Sequence, residues 1–565
     1  MRNQRKAVLI SDFTLNNFAG YLRNDEAFPH IEPSLTPFGQ PFQVLMDETL
    51  DAWQSQPDMG IVWTRPEAVV GSFNSVIRFE PFSEDDLLGE VDTFCDAARM
   101  AAKRVEWLFI PTWALSPGRR GIGVLDRRSP SGVSHALSRM NQRLIQNLEE
   151  TRNCVVLDAE RWLTASGNDA FNPRLWYMAK IPFANPVFKQ AVHDVKAALR
   201  NLSGQSKKIV ILDLDDTLWG GTVGDVGWQN VVLGGHDPAG EALVDFQREL
   251  KALKNRGILL AVVSKNDERV ALDAIRNHPE MAIREQDLAG WRINWQDKAN
   301  NIVELMNELN LGLDSAVFID DNPRERARVR ESLPEVLTPE WPEDKLLYRQ
   351  ALLAMDCFDT ATITREDRDR AGMYAAERQR SVLQSEVRSV DDWLKSLGTS
   401  VVAEPLGDHN LERVTQLLNK TNQMNLSTRR LSGPELLNWT SASGRSLFAF
   451  RVSDRFGDSG LTGIASVSIQ GETARIVDFI LSCRVMGRNV EAAMLAFVLD
   501  HARTCGARKA FLQYLQTERN KPAFDFLTNS QLAQDHDGVF TWNLETPYPA
   551  PPHVVLRHGE ALSSI

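Results

Sequence analysis

The stretch from Ile209 to Gly227, IVILDLDDTLWGGTVGDVG, constrains this chain more than any other. A short apolar strand, Ile209 to Leu212, runs directly into Asp213, Asp215 and Asp216, and a fourth acid, Asp225, follows a run of glycines. Carboxylates this close repel one another unless a cation or a proton relieves them. The stretch therefore reads as a metal or phosphoryl site at the end of a strand.

The surrounding pattern says what kind of sheet that strand joins. Before it, short apolar runs (AVLI at Ala7, GIVW at Gly60, VEWLFI at Val105, CVVLDAERW at Cys154) alternate with helix-length segments, the signature of a parallel α/β sheet. A second such unit opens after the polar NLSGQSKK at Asn201, with strand-like GILLAVVS at Gly257 and SAVFID at Ser315. Between its strands GEALVDFQRELKALKNRG has helical periodicity and ends on Gly257, suited to a C′ position. From Arg365 to Leu397 the sequence is charged and helix-forming, a connector with a solvated face. Then SLFAFRVS, LTGIASVSI and ARIVDFILSC precede the helical VEAAMLAFVLDHART: a meander followed by a helix, hence α+β. At 565 residues the chain is too long for one core, and these shifts divide it at 1–203, 204–350, 351–397 (connector), 398–548 and 549–565, the last a proline-rich tail read as irregular. The fold class expected is multidomain α/β with an α+β C-terminal domain.

Within the second unit the acids form part of an ordered set. Asp213-x-Asp215-x-Thr217 ends one strand, Ser264 closes LLAVVSKND, Lys298 stands in NWQDKANN, and Asp320-Asp321 closes AVFIDDNPRE. Each falls at a strand's C-terminal end or opens a helix, the edge at which open parallel sheets bind ligands. Four motifs in this order resemble the haloacid dehalogenase (HAD) superfamily of aspartate-dependent phosphotransferases. The resemblance implies Asp213 as nucleophile, Asp215 as acid and then base, and Thr217, Ser264 and Lys298 as holders of the phosphoryl group. It also implies Mg²⁺ on the Asp213 carboxylate, the Asp215 carbonyl and one of Asp320 or Asp321, a hard cation on oxygen ligands. No segment of domain length follows Trp219 or separates Ser264 from Lys298, so no large cap is expected and the site should be open to a macromolecule.

The longer wording, with NPRLWYMAKIPF upstream and LLNKTNQMNLSTRR and SCRVMGR downstream, looks like the FkbH-like branch of that superfamily. That branch implies dephosphorylation of 1,3-bisphosphoglycerate, a phosphorylated three-carbon substrate, and loading of its glyceryl group onto the phosphopantetheine thiol of an acyl carrier protein, for polyketide or related biosynthesis. Two positions depart from it: Asp216 stands where Asn is expected and Asp225 where Glu is usual.

The C-terminal domain resembles a GNAT acyltransferase. Arg484-Val485-Met486-Gly487-Arg488-Asn489 approximates the loop whose amides bind the pyrophosphate of coenzyme A at a helix N-terminus, with Asn489 in place of the final small residue. TERNKPAFDFL, with Asn520, resembles a later GNAT segment. The resemblance makes Arg484, Gly487, Arg488 and Asn520 substrate-binding, with a carrier's phosphopantetheine or coenzyme A in the groove. Cys483, just before the loop, is either a small core cysteine or the thiol that carries the glyceryl group, with Arg484 and Arg488 nearby. The first domain resembles an SGNH hydrolase in strand order. Its Ser11 and Thr14 read as turn or capping hydroxyls and His193 as a surface helix residue, so the domain is expected to be non-catalytic.

Composition sets the remaining bounds. A formal charge of −12 argues against a general nucleic-acid binder. Five scattered cysteines with no CxxC pair suit a reducing compartment. The start, MRNQRKAVLISDF, holds too short an apolar run for a signal segment or a membrane span, so a cytoplasmic location away from membranes is expected. The alternative function, an acyl-CoA- or carrier-dependent acyltransferase with a phosphatase domain, for example in surface-polysaccharide biosynthesis, uses the same motifs.

Overall fold

A computed structural model describes residues 4–359 and 389–558, apart from positions 117, 129, 152, 518, 536 and 537. The chain divides into two compact units, 1–200 and 201–565.

The first unit is built on five parallel strands, β1 (Gln4–Ile10), β2 (His30–Leu35), β3 (Met59–Val62), β4 (Trp107–Pro111) and β5 (Cys154–Leu157), in the order β2-β1-β3-β4-β5. That is one of the two common doubly wound orders. Four of the five are the apolar runs of the sequence. The exception, β2, reads HIEPSL, is mostly exposed, and pairs only with β1 through a register that includes Ala7↔Pro33. As an edge strand it tolerates proline and needs no apolar run, so hydrophobicity does not announce it. Ser11 Oγ accepts the Phe13 N–H at 3.0 Å and stabilises the turn, as expected, whereas Thr14 Oγ1 donates to the distant Ala179 carbonyl at 2.8 Å and ties the turn to another segment instead of capping it. His193 lies on the exposed side of the helix Asn185–Leu202 with Nδ1 3.5 Å from Asp194 Oδ1.

The second unit holds two sheets. The first has four parallel strands, β6 (Ile209–Leu212), β7 (Leu259–Ser264), β8 (Leu288–Ile293) and β9 (Ala316–Ile319), ordered β8-β7-β6-β9. Helices α1 (Pro238–Asn255), α2 (Glu268–Asn277), α3 (Lys298–Glu308) and α4 (Pro323–Ser332) connect and cover them. All four residues of β6 are fully buried, Val210 and Leu212 in one apolar cluster and Ile209 and Ile211 in another, each side chain worth about 2 kcal/mol of burial. Helix α1 ends as its sequence predicts, with Arg256 as the cap and Gly257 at φ +95°.

The other sheet comprises β10 (Thr399–Pro405), β11 (Met424–Asn425), β12 (Arg445–Asp454), β13 (Gly457–Gln470), β14 (Thr473–Leu481), β15 (Lys509–Gln513), β16 (Ala533–Gln534), β17 (Val539–Asn543) and β18 (Val554–His558). Its order is β16-β17-β15-β14-β13-β12-β10-β18, with β11 on β14. Helix α5 (Val490–Thr504) crosses from β14 to β15, so these two neighbours run parallel while β12 to β14 form the expected antiparallel meander. The tail is not wholly irregular: β18 lies in it and pairs parallel with β10. Of the expected connector, Tyr348–Leu353 and Val390–Leu397 are helical, and 360–388 lies outside the described residues. Among the described residues no helix is long and apolar enough to cross a membrane.

Candidate active site

The acids converge because β6 and β9 are neighbours in register. Leu212 pairs with Ile319, and the Asp213 N–H donates to the Ile319 carbonyl at 3.0 Å. The next residue of each strand, Asp213 and Asp320, therefore emerges at the same edge. On the other side of β6, Leu212 pairs with Val262, which brings Ser264 to that edge as the last residue of β7. Lys298 is the first residue of α3, whose N-terminus is capped by the Asp297 side chain on the Ala299 and Asn300 amides.

Lys298 Nζ lies 3.0 Å from Asp213 Oδ2 and 2.6 Å from Asp320 Oδ2, and all three side chains are almost wholly buried. Burial pushes the Asp320 carboxyl up to about 6, the nearby Asp213 charge adds to the rise, and Lys298 opposes it. Lys298 itself is held above its ordinary value, because the two carboxylates outweigh the burial that disfavours its charge. Asp321 is also raised, by burial first and then by the charges of Asp213 and Asp216. Asp213, Asp320 and Asp321 each offer an oxygen within 4.8 Å of the others, one lysine cannot neutralise three carboxylates, and Asp213 Oδ1 is buried with no hydrogen-bond partner among the described residues. An all-oxygen, charge-deficient cluster with an unsatisfied acceptor fits a hard divalent cation such as Mg²⁺.

Asp215 points elsewhere. Its Oδ1 accepts the Trp219 indole N–H at 2.8 Å and the Val223 amide at 3.0 Å, and its Oδ2 accepts Asn266 Nδ2–H at 2.8 Å. Burial nonetheless wins over these three donors and raises its pKa, the direction a proton donor needs. Asp216 adopts φ +56°, a left-handed conformation that Asn and Asp both tolerate, so an acid fits the backbone here as the expected Asn would. Against the burial that raises it, the Gly221 amide and Lys345 hold its carboxyl below the usual value.

The Thr217 side chain, expected to contact substrate, is engaged within the protein. It is fully buried, its hydroxyl donates to Asp321 Oδ1 at 3.3 Å and accepts the Asp321 N–H at 3.1 Å, so it positions that carboxylate. Arg326, on α4, braces the same loop by donating to the carbonyls of Asp320 (2.8 Å) and Asp321 (2.7 Å). Sequence reading passed over Trp219, Asn266 and Arg326 as site residues. Asn266 stands in the SKND run beside Ser264, and that proximity was its one sequence signal.

The residues expected to bind ligands in the C-terminal region are placed differently. Arg488 is 2% exposed and pairs with the buried side chain of Asp454 at 3.2 Å. Asn520 is fully buried and bonds to Asn425 O, Leu515 O, Tyr514 and the Thr517 amide. The Gly487 amide donates to Glu491 Oε1 at 2.8 Å, and Arg484 Nε to Ser482 Oγ at 3.2 Å. Cys483 packs against the cluster that includes Ile302, Leu305 and Leu309, and its carbonyl accepts Asn310 Nδ2–H at 2.9 Å. Asn310 precedes β9, at the edge of the parallel sheet opposite the carboxylates. Of the two readings of Cys483, this packing favours the core cysteine.

Comparison with solved structures gives a neighbour of the parallel α/β part of the chain. The N-terminal part of protein BF1531 from Bacteroides fragilis aligns over 64% of this chain and 95% of its own at 28% identity, with a TM-score of 0.57. It is described as containing a phosphatase domain complexed with Mg. The similarity is to a phosphatase domain. Spermidine N-acetyltransferase from Vibrio cholerae, in complex with CoA and spermine, aligns over 26% of this chain and 97% of its own at 16% identity, with a TM-score of 0.22. A GNAT-family acetyltransferase from Staphylococcus aureus Mu50 aligns over 26% and 99% at 8% identity, with a TM-score of 0.20. No family model matches the chain, and none of the curated proteins does.

Proposed function

We propose that this chain is a Mg²⁺-dependent phosphoryl-transfer enzyme of the HAD type that acts through an aspartyl phosphate on Asp213. The observation that carries the proposal is Asp213 Oδ1, a buried carboxylate oxygen with no hydrogen-bond partner among the described residues, beside a lysine and two further acids. Asp213, Asp320 and Asp321 would hold the cation, which when bound offsets the negative charge that otherwise keeps a carboxylate from a phosphate.

In the proposed reaction the Asp213 carboxylate attacks phosphorus, forming a P–O bond as the bond to the substrate oxygen breaks. Asp215, its pKa raised by burial, gives that oxygen its proton. Water then attacks the aspartyl phosphate, Asp215 takes the water's proton, and phosphate leaves with Asp213 restored. Lys298 and Ser264 would hold phosphoryl oxygens as charge builds on them, a role supported by the Lys298 contact with Asp213 and by Ser264 closing β7 at the same sheet edge. Trp219, Asn266, Thr217 and Arg326 orient the acids.

The substrate proposed from the sequence resemblance is 1,3-bisphosphoglycerate, with the phosphopantetheine thiol of an acyl carrier protein as acceptor. The thiol attacks the acyl carbon, the C–O bond to the 1-phosphate breaks as C–S forms, and Asp213 removes the 3-phosphate with one water, giving glyceryl thioester and two phosphates. Among the described residues only the turn after Trp219 and the segment α2–β8 lie where a cap would be inserted, which supports access by a carrier. Incubation with Mg²⁺, 1,3-bisphosphoglycerate and a phosphopantetheinylated carrier, followed by mass measurement of the carrier, tests the proposal. A glyceryl increment is expected. Phosphate release with an unchanged carrier would overturn the carrier half and keep the phosphatase half.

A further inference from the structure

Strands β14 and β15 are parallel neighbours that pair only at their starts, from Thr473↔Lys509 to Ile476↔Leu512. Beyond Ile476 they part, and two diverging strands leave facing edges with unpaired amides and carbonyls, a place for an extended ligand. In this chain the place is taken. Met424 and Asn425 pair antiparallel with Leu481 and Ile480, the Leu426 N–H donates to the Phe479 carbonyl at 3.3 Å, and the Leu426 carbonyl accepts the Leu515 N–H at 3.2 Å. Three residues thus bond to β14 on one side and to the chain just past β15 on the other.

The insert is fastened by buried polar groups. Asn520 donates to the Asn425 carbonyl at 3.0 Å and to the Leu515 carbonyl at 2.8 Å, tying the insert to the segment beyond β15. The fully buried Asp478 on β14 accepts from Ser427 Oγ at 2.8 Å and from Ser466 Oγ at 2.5 Å, and pairs with Arg429. Displacing the insert would leave a buried carboxylate short of a hydroxyl and a guanidinium, a cost that an incoming ligand's own hydrogen bonds do not return. At the start of α5, where a pyrophosphate would need free amides, the Gly487 N–H is held by Glu491 Oε1, and Arg488 faces Asp454.

We infer that the acetyltransferase-like region is closed to coenzyme A and to a carrier's phosphopantetheine arm, with Met424–Leu426 in the place of the arm and Glu491 in that of the pyrophosphate. The residues present do not fit the cofactor that the GNAT resemblance implies. Acyl transfer through this groove is thereby excluded, and any carrier thiol must arrive elsewhere. The inference is independent of the phosphoryl chemistry proposed for Asp213.

Equilibrium dialysis of the full chain with coenzyme A and acetyl-coenzyme A tests it, alongside hydrogen exchange of the Leu426 and Leu515 amides. The expected result is no saturable binding up to about 1 mM and slow exchange at both amides, unchanged by either compound. Binding of one equivalent at micromolar concentration, or faster exchange at Leu515 when coenzyme A is added, would overturn it. Phosphate release by the same preparation is assayed in parallel, so failure of one reading is distinguished from failure of the other.

Discussion

Trp219 donates its indole N–H to Asp215 Oδ1 at 2.8 Å, across a turn of four residues, and is itself fully buried. The bond lowers the pKa of a carboxyl that burial raises. Trp219→Phe removes the donor and keeps an aromatic ring, so the Asp215 pKa should climb further and the pH limb it governs should move to higher pH. The turnover rate should fall about tenfold with little change in KM, the loss of roughly one hydrogen bond to a reacting group. Asn266→Ala should move the same limb in the same direction. A rate loss with an unmoved pH profile would mean packing alone.

Asp213→Asn keeps shape and removes the anionic nucleophile. Phosphate release should drop by about 10⁴-fold or more. The thermal midpoint should hold or rise, because Asp320 and Asp321 lose a like-charged neighbour. Wild-type phosphate release from the folded variant would remove Asp213 from the chemistry.

Chelation should abolish phosphate release, and Mg²⁺ should restore it. Independently of activity, Mg²⁺ should raise the thermal midpoint, since a ligand that binds only the folded state at about a hundred times its Kd adds about 2.7 kcal/mol. Asp320→Asn should lose that shift. An equal shift in wild type and variant would place the cation elsewhere.

How much of this was legible in sequence depends on the range of the interactions. Asp213, Ser264, Lys298 and the Asp320-Asp321 pair could be located because each is fixed by a local rule, a strand's end or a helix's start, and a parallel sheet gathers such ends at one edge. Asn266 reaches Asp215 from 51 residues away, a partner only the fold brings near, whereas Trp219 and Arg326 bond residues four to six positions away but carry no pattern that marks an indole or a guanidinium as a brace for these acids. Arg488 and Asn520, expected to meet a ligand, have protein partners that their local sequence does not announce. A strand–turn–helix with basic residues and a glycine looks alike whether its amides face a ligand or, as here, a glutamate of the next helical turn. Met424–Asn425 is too short to show any periodicity, and β18 exists because β10 offers it an edge.

Arg488 offers the clearest separation of a structural from a ligand-binding role. Its guanidinium and the Asp454 carboxylate are 2% and 1% exposed, and Asp454 Oδ1 also accepts the Phe456 amide, so the pair anchors the start of α5 to the turn after β12. Arg488→Met keeps most of the stem and takes the positive charge from beside a buried carboxylate, which typically costs about 3–5 kcal/mol. Urea unfolding should report that loss, while phosphate release per folded molecule stays at the wild-type level. Adding Asp454→Asn to Arg488→Met should recover part of the stability, because the charge that was stranded is gone; a double-mutant cycle measures the coupling. If Arg488 instead met a ligand's phosphate, Arg488→Met would unfold at the wild-type urea concentration and the second substitution would recover nothing.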